Sequence, residues 1–197
     1  MKIKPDLVKE LRQKTGAGIM DCKKALEKSD VDMDKAVKFL RKQGLLKAAK
    51  RISRETSEGL VASYIHPGGK IGVLVEVNCE TDFVAQTPDF KQLVKDITMH
   101  IAASDPRYIR REDVGQDVIE QEREIIESEF ANKPAQVIEK IANGRLEKFY
   151  AENCLLEQPF VKEEDITVHE HIASHMAKFG ENVKVRRFVR FQLGEQV

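Results

Sequence analysis

Residues 71–86 constrain the fold more than any other stretch of this sequence. Their first half, Ile71-Gly-Val-Leu-Val-Glu-Val77, is apolar and β-branched, the pattern of a buried strand. Their second half turns polar, with Asn78, Glu80, Thr81 and Asp82, and Phe83 follows at once. A side-chain oxygen of Thr81 or Asp82 can accept an unpaired backbone N–H at the start of a short helix, so the spacing predicts a strand-to-helix turn. Phe83 then falls in the first helical turn, beside an acid. Two readings follow. A capping Asp precedes a core Phe, or a rigid strand presents a carboxylate and a ring together for insertion into a partner.

The flanking sequence builds a sheet around this strand. Residues 59–66 and 71–77 are β-rich runs joined by Pro67-Gly-Gly-Lys70, which reads as a hairpin with His66 at its tip, a solvated turn residue on physical grounds alone. Thr87 can cap a helix that opens on Pro88, where a missing N–H is harmless. Phe90, Leu93, Val94, Ile97 and Ile101 recur at helical spacing, so that helix should cover the sheet until Pro106 stops it. A loop spans 107–115. Residues 118–130 and 134–150 then read as a helical hairpin with modest apolar faces. Residues 154–161 read as an irregular crossing. Thr167-Val-His-Glu170 is a capping-box pattern for a last helix ended by Gly180. Residues 183–193 partly alternate apolar and charged side chains, as a strand with one wet face does. About three antiparallel strands covered by helices make an α+β core.

Before this core, the chain reads as three short helices. Asp6 can cap the first, with Leu7 and Leu11 on a shared face; Thr15-Gly-Ala-Gly18 breaks it, its glycines permitting positive φ and close backbone approach. The second covers about 19–28, with Met20, Cys22, Ala25 and Leu26 available for packing. Asp32 caps the third, which carries Ala36, Val37, Phe39 and Leu40, and Gly44 closes it. The domain reading is therefore a helical bundle over 1–44, a helical link over 45–57 and an α+β core over 58–197 with a helical hairpin near 118–150. Lys47, Lys50, Arg51 and Arg54 make the link basic, but no aromatic residue is interleaved to stack on bases, and a solvated helix accounts for it.

Composition narrows the function. Lys and Arg total 33 and Asp and Glu total 33, a balance that argues against a dedicated nucleic-acid binder. No early apolar run suits a signal peptide and no later one suits a membrane span. Cys22, Cys79 and Cys154 are odd in number and far apart, which fits a reducing cytosol better than a disulfide framework. His171 and His175 lie one helical turn apart near His169, but two imidazoles without a third ligand read as packed or surface histidines rather than a metal site. Gly16-Ala-Gly18 lacks the rest of a dinucleotide fingerprint, and no phosphate-binding loop with Gly-Lys-Ser/Thr is present. No nucleophile comes with a base. No enzyme, no metal and no cofactor is expected.

Two stretches carry a family resemblance. Glu76-Val-Asn-Cys-Glu-Thr-Asp-Phe-Val-Ala85 resembles the core signature of the elongation factor Ts family, and Leu11-Arg-Gln-Lys-Thr-Gly-Ala-Gly-Ile-Met-Asp-Cys-Lys-Lys-Ala-Leu26 resembles its N-terminal signature. The likeness continues through His100-Ile-Ala-Ala-Ser, Gln158-Pro-Phe-Val161 and Arg187-Phe-Val-Arg-Phe191, and so covers nearly the whole chain. It implies a cytoplasmic guanine-nucleotide exchange factor that binds the GTPase elongation factor Tu in its GDP form and speeds GDP release, without covalent chemistry, membrane or direct nucleic-acid binding. It implies that the bundle is ubiquitin-associated-like. It also implies that Asp82 and Phe83 form a wedge shaped by Thr81 and Val84, that Arg12, Ile19 and Met20 grip another helix of the GTPase, and that His66 touches the partner. The length resembles the short form of the family, expected as a homodimer. Gln86 departs from the usual basic residue or Asn, and Ile19 from a frequent Met. Val189 stands where some short members place an intersubunit cysteine, so the dimer would be noncovalent. Two alternatives remain: an adaptor whose bundle binds a helix or ubiquitin-like partner, and a ribosome- or RNA-binding factor using residues 47–54.

Overall fold

The computed structural model describes residues 3–195. Helix α1 (Pro5–Thr15) begins two residues earlier than Asp6 would dictate as a cap. Pro5 takes the first helical position, where its fixed φ is already helical, Lys4 precedes it without a side-chain cap, and Asp6 lies inside the first turn, where its charge suits the helix dipole. Gly16 ends the helix at φ +66°, with its N–H on the Arg12 carbonyl at 2.8 Å. Gly18 keeps a negative φ, so only the first of the two expected glycines uses its freedom. Helix α2 (Ile19–Lys28) has the expected limits. Helix α3 (Met33–Ala49) is capped by Asp32, which accepts the Lys35 N–H at 3.0 Å. Leu11, Cys22, Ala25, Leu26 and Ala36 form the dry centre of this bundle, with Leu7, Val37, Phe39 and Leu40 at its margin. Met20, read as available for packing, is instead 74% exposed.

Gly44 does not close α3. Glycine in a helix interior costs about 1 kcal/mol relative to Ala, and good helix formers follow it, of which Ala48 is fully packed. The expected helical link is therefore helical only to Ala49. Residues 50–54 are turns, with the Arg51 N–H on Ala48 O at 2.8 Å, and residues 55–57 carry no regular structure.

Strands β1 (Glu58–Ile65) and β2 (Ile71–Cys79) make the expected hairpin, closed by the His66 N–H on Ile71 O at 2.9 Å. Along β2, Val73, Val75, Val77 and Cys79 are buried while Leu74 is exposed. A four-residue helix α4 (Asp82–Ala85) follows, then α5 (Pro88–Ser104), capped by Thr87, whose hydroxyl oxygen accepts the Phe90 N–H at 3.1 Å. Phe90, Leu93, Val94, Ile97 and Ile101 are all buried, as their spacing predicts. Helices α6 (Gln116–Glu129) and α7 (Ala135–Asn153) pack as the helical hairpin, with Arg145 on Glu129 at 2.6 Å and over the Phe130 ring.

The expected irregular crossing contains more order than its sequence signals. Strand β3 (Pro159–Phe160) pairs antiparallel with β4 (Glu163–Thr167), a strand too short to carry a visible period. Helix α8 (Val168–Phe179) ends at Gly180, and β5 (Val183–Gln192) completes a three-stranded antiparallel sheet in the order β1-β2-β5. Burial along β5 alternates through Val183 and Val185, then slips phase at Arg186 and Arg187, both exposed, so that Val189 and Phe191 face solvent. The fold is α+β, as expected.

By chain contacts, two compact units emerge. One holds the described part of Met1–Ala62 with Glu76–Lys95 and Glu170–Arg186; the other holds Ser63–Val75, Asp96–His169 and the described part of Arg187–Val197. Within the second unit, His100 is fully buried. Its Nε2 meets Gln158 Oε1 at 2.9 Å and its Nδ1 accepts the Val161 N–H at 3.2 Å, so the ring is neutral with its proton on Nε2. Gln158 in turn donates to the carbonyls of Ser104 and Glu152, at 3.2 and 2.7 Å.

Candidate functional site

At the end of β2, the buried Cys79 anchors the chain. Burial, with the nearby Glu181 charge adding to it, pushes its thiol up to about 11. The thiol stays protonated at neutral pH and donates to Thr81 O at 3.2 Å. Thr81 is extended (φ −128°, ψ 153°) and is the true cap of α4, accepting the Val84 N–H at 3.4 Å, whereas Asp82 is the first helical residue. Gln86 N–H to Asp82 O (3.0 Å), Thr87 N–H to Val84 O (3.0 Å) and Thr87 Oγ1 to Val84 O (2.8 Å) close the turn from the other side. Ala85 points inward and is buried; Val84 is half-buried.

Phe83 points the other way. It is 81% exposed, so the reading of a core Phe behind a capping acid is excluded. Full burial of a Phe side chain is worth about 1.5–3 kcal/mol, and here that stabilisation is left unclaimed within the monomer. Asp82 is exposed beside it and forms no ion pair among the described residues. The turn thus offers a ring and a free carboxylate together on a short, hydrogen-bonded platform.

A second exposed group sits on the bundle. Arg12 lies in the last turn of α1, and Ile19 and Met20 open α2; the 16–18 turn joins them. Ile19 is 56% exposed and Met20 74%, consecutive apolar side chains without packing partners in the bundle core. Lys178 of α8 supports this turn: its stem lies 3.7 Å from where a Cβ on Gly16 would be, and its Nζ pairs with Asp89 at 2.7 Å, holding that carboxyl below the usual range. His66, in the other unit, is exposed at the hairpin tip with its Nδ1 3.1 Å from the Tyr64 hydroxyl.

Two residues of this neighbourhood escaped sequence reasoning. Glu181 and Asn182, just past α8, bind the Thr81 turn and the end of the link. The Asn182 N–H donates to Glu80 Oε1 at 2.6 Å, and its side-chain amide donates to the carbonyls of Ile52 and Arg54 at 3.3 and 2.8 Å. Arg54 closes the circuit on Glu80 at 3.4 Å. Only Gly180 signals anything locally, and it signals a helix end.

The model of the family described as elongation factor TS matches residues 11–195. The chain belongs to the elongation factor Ts family. It is 59% identical over 195 residues to elongation factor Ts of Carboxydothermus hydrogenoformans, covering 98% of this chain and 90% of that one. Elongation factor Ts of Fervidobacterium nodosum is 57% identical over 197 residues, covering 99% of this chain and 100% of its own. That of Thermodesulfovibrio yellowstonii is 59% identical over 196 residues, with 99% and 98% covered. Full coverage of a relative of this length fits the short bacterial form of the family. The role the family carries is that of a translation elongation factor. Among the described residues no group of three or more His, Cys, Asp or Glu could hold a metal ion, and no helix is long and apolar enough to cross a membrane. His171 and His175 stack edge to face, with ring centroids 4.7 Å apart, and His175 Nδ1 bonds to His171 O at 3.0 Å.

Proposed function

We propose that this translation elongation factor is a guanine-nucleotide exchange factor: it binds elongation factor Tu in its GDP form, promotes GDP release and yields to GTP, with no covalent step. The observation that carries the reading is the exposed Phe83 beside an exposed Asp82 that forms no ion pair among the described residues, on a capped turn. Linkage supplies the logic. A protein that binds the nucleotide-free GTPase more tightly than the GDP form must weaken GDP binding by the same factor. A GDP site depends on Mg²⁺ and a backbone cradle around the phosphates, so a wedge need only shift that cradle. Burying the Phe83 ring in an apolar pocket would return about 1.5–3 kcal/mol, a factor of roughly ten to a hundred in affinity. Asp82 would compete for polar contacts around the Mg²⁺ site. Thr81 and Val84 hold the wedge in shape.

Arg12, Ile19 and Met20 form the second contact, an apolar grip with one cation at its edge, for which a flexible Met is well suited. His66 is a further contact. The functional divisions are a ubiquitin-associated-like bundle (1–44), a link (45–57) and a dimerisation and exchange core (58–197). A noncovalent homodimer is supported by the second unit, where Ile65, Leu74, Val189, Phe191 and Leu193 are exposed apolar residues of the sheet and its end. A Cβ on Gly72 would come within 3.1 Å of Ile65 Cδ1, so glycine lets Ile65 lie across the face that carries Leu74. The cytoplasm is the proposed compartment; Cys22, Cys79 and Cys154 are free and buried, in keeping with it.

The experiment is release of a fluorescent GDP analogue from elongation factor Tu, with the wild type and with Asp82→Ala/Phe83→Ala. Fast release that collapses in the folded double variant is the expected result. Release unaffected by the wild type would sink the exchange reading; release surviving the double substitution would move the mechanism to the Arg12, Ile19 and Met20 grip or His66.

A further inference from the structure

Gly180 adopts φ +78°, which a side chain would resist, and its N–H closes on Met176 O at 3.0 Å. The reversal brings Glu181 onto the Thr81 turn. Oε2 of Glu181 accepts the N–H groups of Glu80 and Thr81, each at 3.1 Å, and Oε1 accepts the Thr81 hydroxyl at 2.6 Å. Among the described residues Glu181 pairs with no cation, so its charge is directed at three donors of this one turn. The turn needs such support. Helix α4 has four residues, too few to be stable alone, the Thr81 cap bond is long at 3.4 Å, and Phe83 has little packing to orient it. Asn182 then ties the same corner to the carbonyls of Ile52 and Arg54, which fixes the base from which Glu181 reaches.

We propose that Glu181 is the positioning residue of the exchange turn: its carboxylate, bonded to Glu80, Thr81 N–H and the Thr81 hydroxyl, sets the angle at which Phe83 is presented. The proposal rests on the reading of Asp82 and Phe83 as the wedge. Glu181 touches no partner; it removes the entropy of ordering the turn before binding. Because Glu181 is only half-buried, water can replace its bonds when it is removed, so the turn loosens while the fold survives.

The test uses the full chain with 4-fluorophenylalanine at position 83, read by fluorine NMR without the GTPase, beside GDP release from elongation factor Tu. Glu181→Ala should move the fluorine signal toward that of the urea-denatured chain and slow exchange by about tenfold, the scale of hydrogen bonds to a charged acceptor. Glu181→Gln keeps one acceptor oxygen and should recover exchange to within about threefold of wild type. An unmoved signal with wild-type exchange in a folded Glu181→Ala protein overturns the proposal. So does equal loss in Ala and Gln variants with the signal unmoved, because the defect is then general. Should Glu181→Ala fail to fold, Thr81→Val puts a methyl in place of the hydroxyl, removing one of the three bonds to Glu181 together with the Val84 cap, and should shift the signal in the same direction; no shift overturns the proposal. A Phe83→Ala control that leaves exchange intact while Glu181→Ala still moves the fluorine signal would refute the wedge and uphold the positioning.

Discussion

Thr81 and Glu181 share one hydroxyl proton across 100 residues of chain: Thr81 Oγ1 donates to Glu181 Oε1 at 2.6 Å. The consequence is local. With its proton committed to the carboxylate, Oγ1 turns a lone pair toward the Val84 N–H and caps α4. A long-range bond therefore orients a short-range one, and the pair together decides where Phe83 points.

Met20→Ala and Ile19→Ala should weaken binding to elongation factor Tu by about three- to tenfold each while changing unfolding free energy by less than about 0.5 kcal/mol. Both side chains are more than half exposed and stand apart from the bundle core, so truncation leaves no cavity. Calorimetric titration against the GDP-bound GTPase, paired with urea denaturation, separates the two effects. A large stability loss would show that these residues serve the bundle instead.

Asn182→Ala should destabilise the protein by about 1–3 kcal/mol, the range for leaving buried polar groups without partners. Asn182 is fully buried, and its amide satisfies the carbonyls of Ile52 and Arg54. The midpoint of urea unfolding should fall with an unchanged m-value. A midpoint equal to wild type would mean that water enters and replaces the amide.

Acid should destabilise the unit that contains His100. Burial holds the imidazole below its ordinary value of 6.5, against the smaller upward pull of Gln158. The unfolded chain therefore binds the proton first. The contribution of the neutral ring is intact above pH 6.5 and is lost as pH falls from there toward the lowered folded value. His100→Gln should flatten the pH dependence of stability across that window, measured by urea titration at several pH values; an unchanged slope would assign it to other groups.

Phe191→Glu combined with Leu74→Glu should convert the proposed homodimer into monomer at micromolar concentration, since two charges per protomer would have to be desolvated if these exposed apolar residues form its contact. Sedimentation velocity reads the outcome directly. A wild type that is monomeric at the same concentration would refute the dimer before any variant is made.

Periodicity made much of this fold legible. The run of valines in β2, the helical spacing from Phe90 to Ile101 and the Thr87–Pro88 start all matched, because each is a repeated local signal reinforced by burial on one face. Element ends matched less well. Asp6 yielded the helix start to Pro5, and α3 ran through Gly44, because one residue's preference of about 1 kcal/mol is smaller than the burial of residues such as Ala48 beyond it. The β3–β4 pair was invisible, being too short for a period and held by residues such as Phe160 that pack against His100 far away in sequence.

The sequence by itself determined the strand, the turn and the presence of a ring next to an acid at positions 82 and 83, since these follow from side-chain chemistry within a few residues. Tertiary structure alone decided whether that ring was core or surface. Both readings allow the same short helix after the strand, and differ in what lies beyond the turn. Glu181 and Asn182 come from the far end of the chain to occupy the inner side of that turn, Ala85 packs inward, and Phe83 is left facing solvent. Such an arrangement depends on which distant groups meet, and no local periodicity carries that information.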